Sequence, residues 1–338
     1  MTYEKFTAIV LADPYIIEQV GTVIIDEVQM IADKNRGTNL EFIITLLRIR
    51  RRQGVEPQII ALSAVIGDSN GLEYWLDARL LKRTDRPVPI DEGIITGSGY
   101  FKYLTDKNEE KITPNFIQRE LRNVGNQEWI IPLVRKLVSE GKQVIVFREK
   151  TGEARGTANY LAENLGLPSA NTVLESLPKG DPSIMSEALR QALLGGVALH
   201  TSNLDREERF IIEEYFRMPK SEIRVIAATT TLAMGINTPA EAVVIAGLEH
   251  PGQQPEPYSV AEYKNMVGRA GRLGFSTRGT AYLLALTPRE EHDHWNNYVR
   301  GKPEDLTSRF LNEKTDPRSL IIKVLVSAKR TVGKTKKQ

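Results

Sequence analysis

The sequence predicts an α/β protein with two parallel-sheet domains in tandem, and three observations carry that reading. Short apolar runs of strand length recur along the chain and alternate with helical segments, an order that gives parallel strands joined by right-handed crossovers. Those runs are apolar throughout, as strands covered on both faces are. With 338 residues there is room for about two domains and a large core.

Composition narrows the function classes. Lys and Arg number 45 against 43 Asp and Glu, a net charge of +2, so any surface for a polyanion must be a local patch. There is no cysteine, which removes disulfides, thiolate catalysis and Cys-type zinc sites and fits a reducing interior. No signal peptide and no apolar run of membrane-spanning length stand out, so the expectation is a cytoplasmic protein with no membrane partner.

In chain order, residues 20–30 (Val-Gly-Thr-Val-Ile-Ile-Asp-Glu-Val-Gln-Met) form an apolar run ending in two acids. In open α/β sheets ligands sit at the carboxyl ends of strands, where Asp26 can hold a Mg²⁺ and Glu27 can orient a water. A solvated turn or helix cap ends in acids just as often. A helix over 39–52 closes on a basic cluster suited to its dipole, and a second strand over 58–62 runs into Ser63-Ala64. Two prolines in Arg-Pro-Val-Pro-Ile-Asp, residues 86–91, exclude helix, and mixed charged sequence beyond them reads as the crossing between domains.

The second half repeats the pattern. Helices are expected over 128–140, 153–165 and 182–194, with a charged one from the N-cap Asp205 to about 217. Strands are expected over 142–147, 196–200, 223–228, 242–246 and 280–286. Between the last two lies Glu-Tyr-Lys-Asn-Met-Val-Gly-Arg-Ala-Gly-Arg-Leu-Gly, residues 262–274. On a helix, Arg269 and Arg272 would point at nearly the same place, and the glycines before them leave room for a phosphate. A forked, permanent charge suits the charge that develops on a transferring phosphoryl group. A nucleotide between the acids and the arginines would meet metal on one side and positive charge on the other.

These stretches together resemble a superfamily 2 nucleic-acid helicase of the DExH-box branch, which holds the archaeal-type repair and exosome-associated helicases. Asp26-Glu27-Val28-Gln29 resembles the Walker B box and Ser63-Ala64 the coupling motif; residues 144–147 resemble the first strand motif of the second RecA-like domain. Residues 196–200 with Arg209 resemble a backbone-binding motif, 229–237 motif five, 268–272 motif six, and Thr2-Tyr-Glu-Lys5 a strand-binding motif. The resemblance implies two RecA-like domains, ATP and Mg²⁺ as cofactors, and a single-stranded or tailed duplex partner, DNA before RNA. It implies Asp26 and Glu27 at the metal, with Glu27 orienting the water, and Arg269 and Arg272 on the γ-phosphate. Gly235, Asn237 and Gly268 would touch nucleotide. Thr2, Lys5, Ser63, His200, Thr229 and Thr231 would lie along one strand, mostly on its backbone.

Residues 248–260, with Pro251, Gly252, Pro255 and Pro257, suit a stiff loop, and in the repair branch this interval splits the duplex; Tyr258 could stack on a base. Gln29 and Asn265 stand where the family has other residues, and an amide pair between them is the expected substitute. Thr201 and Asn203 also depart from the family's pattern. No Gly-x-x-x-x-Gly-Lys-Ser/Thr loop precedes Asp26, and Gly333-Lys334-Thr335 lacks a helix to follow it. A fragment is therefore expected, the first domain incomplete and inactive alone, with an upstream polypeptide segment carrying the loop as partner. The expected division is 1–95 for the first domain, 96–125 for a linker, 126–290 for the second domain, and 291–338 for the start of a winged-helix segment and basic tail. A non-catalytic nucleic-acid-binding or regulatory subunit of the same fold is the alternative.

Overall fold

The computed structural model describes residues 1–33, 36–52, 54, 57–83, 86–120, 125–180, 183–233, 238–252, 255–271, 274, 276–308, 318, 321 and 322. It divides into two units, residues 1–83 with 303–338, and residues 84–302.

The first unit opens on α1 (Tyr3–Ala12), capped by the Thr2 hydroxyl, which accepts the Lys5 N–H at 3.3 Å. There follow β1 (Thr22–Ile25), a 3₁₀ turn over Val28–Ala32, α2 (Gly37–Arg52), β2 (Gln58–Ala61) and α3 (Leu72–Leu76). The two strands pair in parallel, Thr22 opposite Gln58 and Ile25 opposite Ala61. On α2, Leu40, Ile43, Ile44 and Leu47 recur three and four apart and are all buried, the apolar stripe a core-facing helix needs. They belong to two adjoining clusters, one with Ile25, Val28 and Ile31, the other with Val10 and Ile17. Leu306 joins the first of these; its N–H donates to the Asp68 carbonyl at 2.9 Å, and its own carbonyl accepts from Asn70 at 2.6 Å.

The second unit is built on one sheet. Its strands are β3 (Ile90–Thr96), β4 (Phe101–Leu104), β5 (Glu110–Thr113), β6 (Val144–Phe147), β7 (Val197–His200), β8 (Val225–Ala228), β9 (Ala242–Ile245) and β10 (Gly279–Ala285). They run in the order β5-β4-β3-β10-β9-β6-β8-β7, parallel from β3 to β7, with β4 and β5 added as an antiparallel edge. Strands β6, β7, β8 and β9 are buried at every position, which is why they read as unbroken apolar runs. The helices between them are α4 (Gln127–Ser139), α5 (Thr151–Leu165), α6 (Asn171–Ser176), α7 (Ile184–Leu193), α8 (Arg206–Phe216), α9 (Val260–Val267) and α10 (Pro288–His294). Asp205 starts α8 as its sequence predicts, in a capping box with Glu208. Glu208 is itself buried, and the Ser186 hydroxyl at 2.9 Å and Arg190 at 3.0 Å satisfy it.

The α/β class and parallel sheet therefore hold, but the expected division does not. Residues 96–113 are no linker: the end of β3, β4 and β5 carry the sheet through them, and the units part at residues 83 and 84. The prolines that exclude helix stand just ahead of β3, where the Pro89 carbonyl accepts the Gly279 N–H at 2.9 Å. Residues 291–302 belong to the second unit through α10 and the π-helical turn Trp295–Val299, and residues 303–308 return to the first. The winged-helix segment expected further on, and Gly333-Lys334-Thr335, lie outside the described residues, save isolated positions.

Candidate functional site

In the first unit, the acids stand where β1 ends. Asp26 is exposed, and one of its carboxylate oxygens accepts the Glu27 N–H at 2.9 Å. Glu27 takes a left-handed backbone, φ 55°, which costs a non-glycine residue about 1 kcal/mol or more and marks strain at a site worth asking about. That turn brings its carboxylate to the Gln29 side-chain amide, which donates to it. The Gln29 carbonyl in turn accepts the Ser63 hydroxyl at 2.7 Å. Backbone bonds from Val28 N–H to the Leu62 carbonyl (2.9 Å) and from Leu62 N–H to the Ile25 carbonyl (2.8 Å) hold the two strand ends together.

Gln29 thus uses both ends of its amide within its own unit. Thr2 and Lys5 are exposed at the start of α1, with the Thr2 hydroxyl engaged in its cap. Among the described residues no group of three or more His, Asp or Glu is arranged to hold a metal, and no helix is long and apolar enough to cross a membrane.

In the second unit the helix of the arginine stretch ends before Arg269. A Ser259–Glu262 capping box starts α9, the Glu262 carboxylate accepting the Ser259 N–H at 2.8 Å, and the helix ends at Val267 with Gly268 as its C-cap. Arg269 and Ala270 then run alongside Ala240. The Arg269 carbonyl accepts the Ala240 N–H at 2.9 Å, the Ala240 carbonyl accepts the Gly271 N–H at 2.7 Å, and Gly271 has φ 92°. A Cβ on Gly271 would lie 2.8 Å from Val88, so glycine is required there on two counts. The Arg269 guanidinium donates to the Ala233 carbonyl, joining the start of motif six to the 3₁₀ turn Thr230–Ala233. Arg272, Gly235 and Asn237 lie outside the described residues, as does the Thr231 side chain.

Two residues expected along the strand are buried. His200 is 0% exposed and its Nε2 pairs with Glu213 at 2.8 Å, so its ring is a core group and not a strand contact. Thr229 is 7% exposed, with its N–H on the His200 carbonyl at 3.2 Å. Glu213 stands on α8 and nothing in the spacing of the sequence announces it as the partner of His200. Tyr258 is likewise 4% exposed and cannot stack on a base. Its ring meets His250 edge-on at 4.5 Å, and burial pushes its phenol up to about 12. It anchors a short hairpin in which Glu249 bridges Pro257, the Tyr258 N–H reaches the Leu248 carbonyl at 2.7 Å, and the His250 N–H reaches the Glu256 carbonyl at 2.7 Å. Glu149 holds the base of that hairpin by accepting the Glu249 N–H at 3.0 Å.

A pair that sequence reasoning missed fixes α9, the helix that precedes the arginines. Lys264 on α9 donates to Glu92 on β3 at 2.6 Å and to the Val299 carbonyl at 2.9 Å. Burial raises the Glu92 carboxyl above its ordinary value, against the pull of Lys264. Lys264→Met is expected to cost roughly 3 kcal/mol, because it takes from a desolvated carboxylate its hydrogen-bonded ammonium. A raised carboxyl contributes stability on the acid side and loses it as pH rises, and removing Lys264 raises Glu92 further. The deficit should therefore narrow between pH 8 and pH 5 in urea unfolding of the variant beside the parent.

A parallel-sheet unit carrying Gly-Arg-Ala-Gly-Arg, and another with an acid pair relayed to a strand-end serine, define a RecA-like helicase core. Residues 127–274 match the model of the helicase conserved C-terminal domain. The chain is 34% identical over 322 residues to the ATP-dependent DNA helicase Hel308 of Caldivirga maquilingensis, covering 92% of this chain and 40% of the relative. Its identity to the protein of that name is 33% in Pyrobaculum calidifontis (93% and 43% covered) and 32% in Thermoplasma acidophilum (93% and 42%). These are similarities to superfamily 2 helicases. It spans about two fifths of the length of the curated relatives it matches.

Proposed function

We propose that this chain is part of an ATP-dependent helicase or translocase that moves along single-stranded nucleic acid, DNA in preference to RNA, and opens tailed duplexes. The observation that carries the proposal is the relay Glu27–Gln29–Ser63, which joins a water-orienting acid to a strand-end hydroxyl. The similarity to helicases called DNA helicases supports the choice of nucleic acid.

The residues present fit Mg²⁺ and ATP. An exposed carboxylate such as Asp26 can hold Mg²⁺, an ion commonly bound by one or two carboxylates with waters and phosphates. Bound there, the ion would neutralise charge on the transferring phosphate. Glu27, with one carboxylate oxygen on Gln29, would orient the attacking water beside the ion and accept its proton. Arg269, with Arg272, would exchange its bond to Ala233 for the γ-phosphate, and Gly268, Gly235 and Asn237 would line the nucleotide. Thr2, Lys5, Ser63 and Thr231 would contact the strand backbone; a sequence-tolerant grip is what a translocating motor needs.

The test is ATP hydrolysis by the chain joined to a phosphate-loop segment, with and without oligonucleotide, and unwinding of matched DNA and RNA tailed duplexes. Strand-stimulated hydrolysis with DNA unwinding is expected. Strand binding with no hydrolysis in any reconstitution would favour the non-catalytic binder. The hairpin at 248–258 is proposed as the separating element: shortening it between Pro251 and Glu256 should abolish unwinding and spare strand-stimulated hydrolysis. Unwinding that survives the deletion would remove that role.

A further inference from the structure

Tyr3 stands between Thr2 and Lys5 in the first turn of α1, yet its side chain leaves that turn and reaches the acid pair. Its hydroxyl donates to the backbone carbonyl of Asp26. The carbonyls on either side are held by backbone, Ile25 by the Leu62 N–H (2.8 Å) and Glu27 by the Met30 N–H (2.9 Å). At Asp26 the bond instead comes from a side chain on another element. The ring is half-buried and packs against both core clusters of the first unit. Arg36 lies over it, 5.8 Å from its centroid, and pairs with Glu4 at 3.4 Å, so the turn, the ring and the acids form one connected group. Burial raises the phenol above its ordinary value, which keeps it a donor throughout the working pH range.

We propose that Tyr3 is a positioning residue that transmits strand occupancy at Thr2 and Lys5 to the acid pair at Asp26 and Glu27, an inference that rests on the function proposed above. A strand drawn against the exposed turn shifts α1, and the hydroxyl carries that shift to the Asp26 carbonyl. Glu27 follows at once in the chain, in the one left-handed position of this segment, so a small displacement of Asp26 re-aims its carboxylate. Strand binding thereby reaches the water-orienting acid without any contact between the two.

The experiment is hydrogen–deuterium exchange over residues 22–31, with and without a saturating oligo(dT), after binding has been measured by fluorescence anisotropy. In the parent, oligonucleotide is expected to change exchange over Glu27–Met30 on the order of threefold, the scale of a modest shift in local opening. Tyr3→Phe removes only the hydroxyl; it should bind oligonucleotide as the parent does and lose most of that change. Arg36→Gln, which frees the ring without touching the bond, should lose part of it and guards against misfolding of the first variant. A full response in both variants overturns the proposal, as does a rise in exchange that is equal with and without oligonucleotide, the mark of a merely structural bond. If the parent binds no oligonucleotide, the helicase reading itself fails; if it binds but shows no change at the acids, only the coupling does.

Discussion

Glu27→Gln is expected to slow ATP hydrolysis by at least about a hundredfold, the contribution of a positioned general base, while strand affinity stays within about twofold. The amide keeps the volume of the carboxylate but has no basic oxygen to take the proton of the attacking water. It can still meet the Gln29 side chain, because an amide both donates and accepts, so the relay to Ser63 survives. The separation of effects is what identifies the residue. Loss of strand binding with loss of hydrolysis would mean that the strained turn had refolded. Steady-state hydrolysis with anisotropy on the same samples distinguishes the outcomes.

Arg269 should show the second large effect. Arg269→Ala is expected to lower hydrolysis by about a thousandfold or more, the range measured for arginines that stabilise a transferring phosphoryl group. Arg269→Lys should recover little of it, since a point charge lacks the planar fork that meets two oxygens at once. Some of the loss would come from the bond to the Ala233 carbonyl, which ties motif six to the turn that opens motif five. Nucleotide affinity reports that part: weaker binding at unchanged turnover would assign Arg269 to holding the turn, whereas lost turnover with affinity kept assigns it to the transferring phosphate.

Much of this architecture was legible because parallel strands buried on both faces have no polar alternation to disguise them. Strands β6 to β10 and helices α4, α5, α7 and α8 fall within a few residues of where periodicity places them. The antiparallel edge was hidden by prolines 87 and 89, which exclude helix but are compatible with the start of a strand. Alternation in Phe101-Lys-Tyr-Leu, with Asn108 in the left-handed region at the turn, is the signal that would have found it. The arginine pair was placed on a helix because its spacing suits one; Gly268 ends that helix first. His200 looked available because a strand end usually is, and its burial depends on Glu213, supplied by a different element. Tyr3 carries no signal in the sequence, because its bond to the Asp26 carbonyl joins residues 23 apart. Local pattern names the elements, whereas the partner of a buried polar group is set by packing.

Under the proposed function, the acids at the end of β1 and the arginines near residue 270 would act on one nucleoside triphosphate. The chain has no cysteine, so spin labels at Leu62→Cys, an exposed position bonded to the acid turn, and Thr277→Cys, just past the arginine stretch, would report only those two places. The measurement is the label-to-label distance by pulsed electron resonance, in the chain supplied with a phosphate-loop segment, before and after a non-hydrolysable ATP analogue with Mg²⁺. The account predicts that the distance shortens and its distribution narrows on nucleotide binding. An unchanged distribution in protein shown to hold the nucleotide would contradict it.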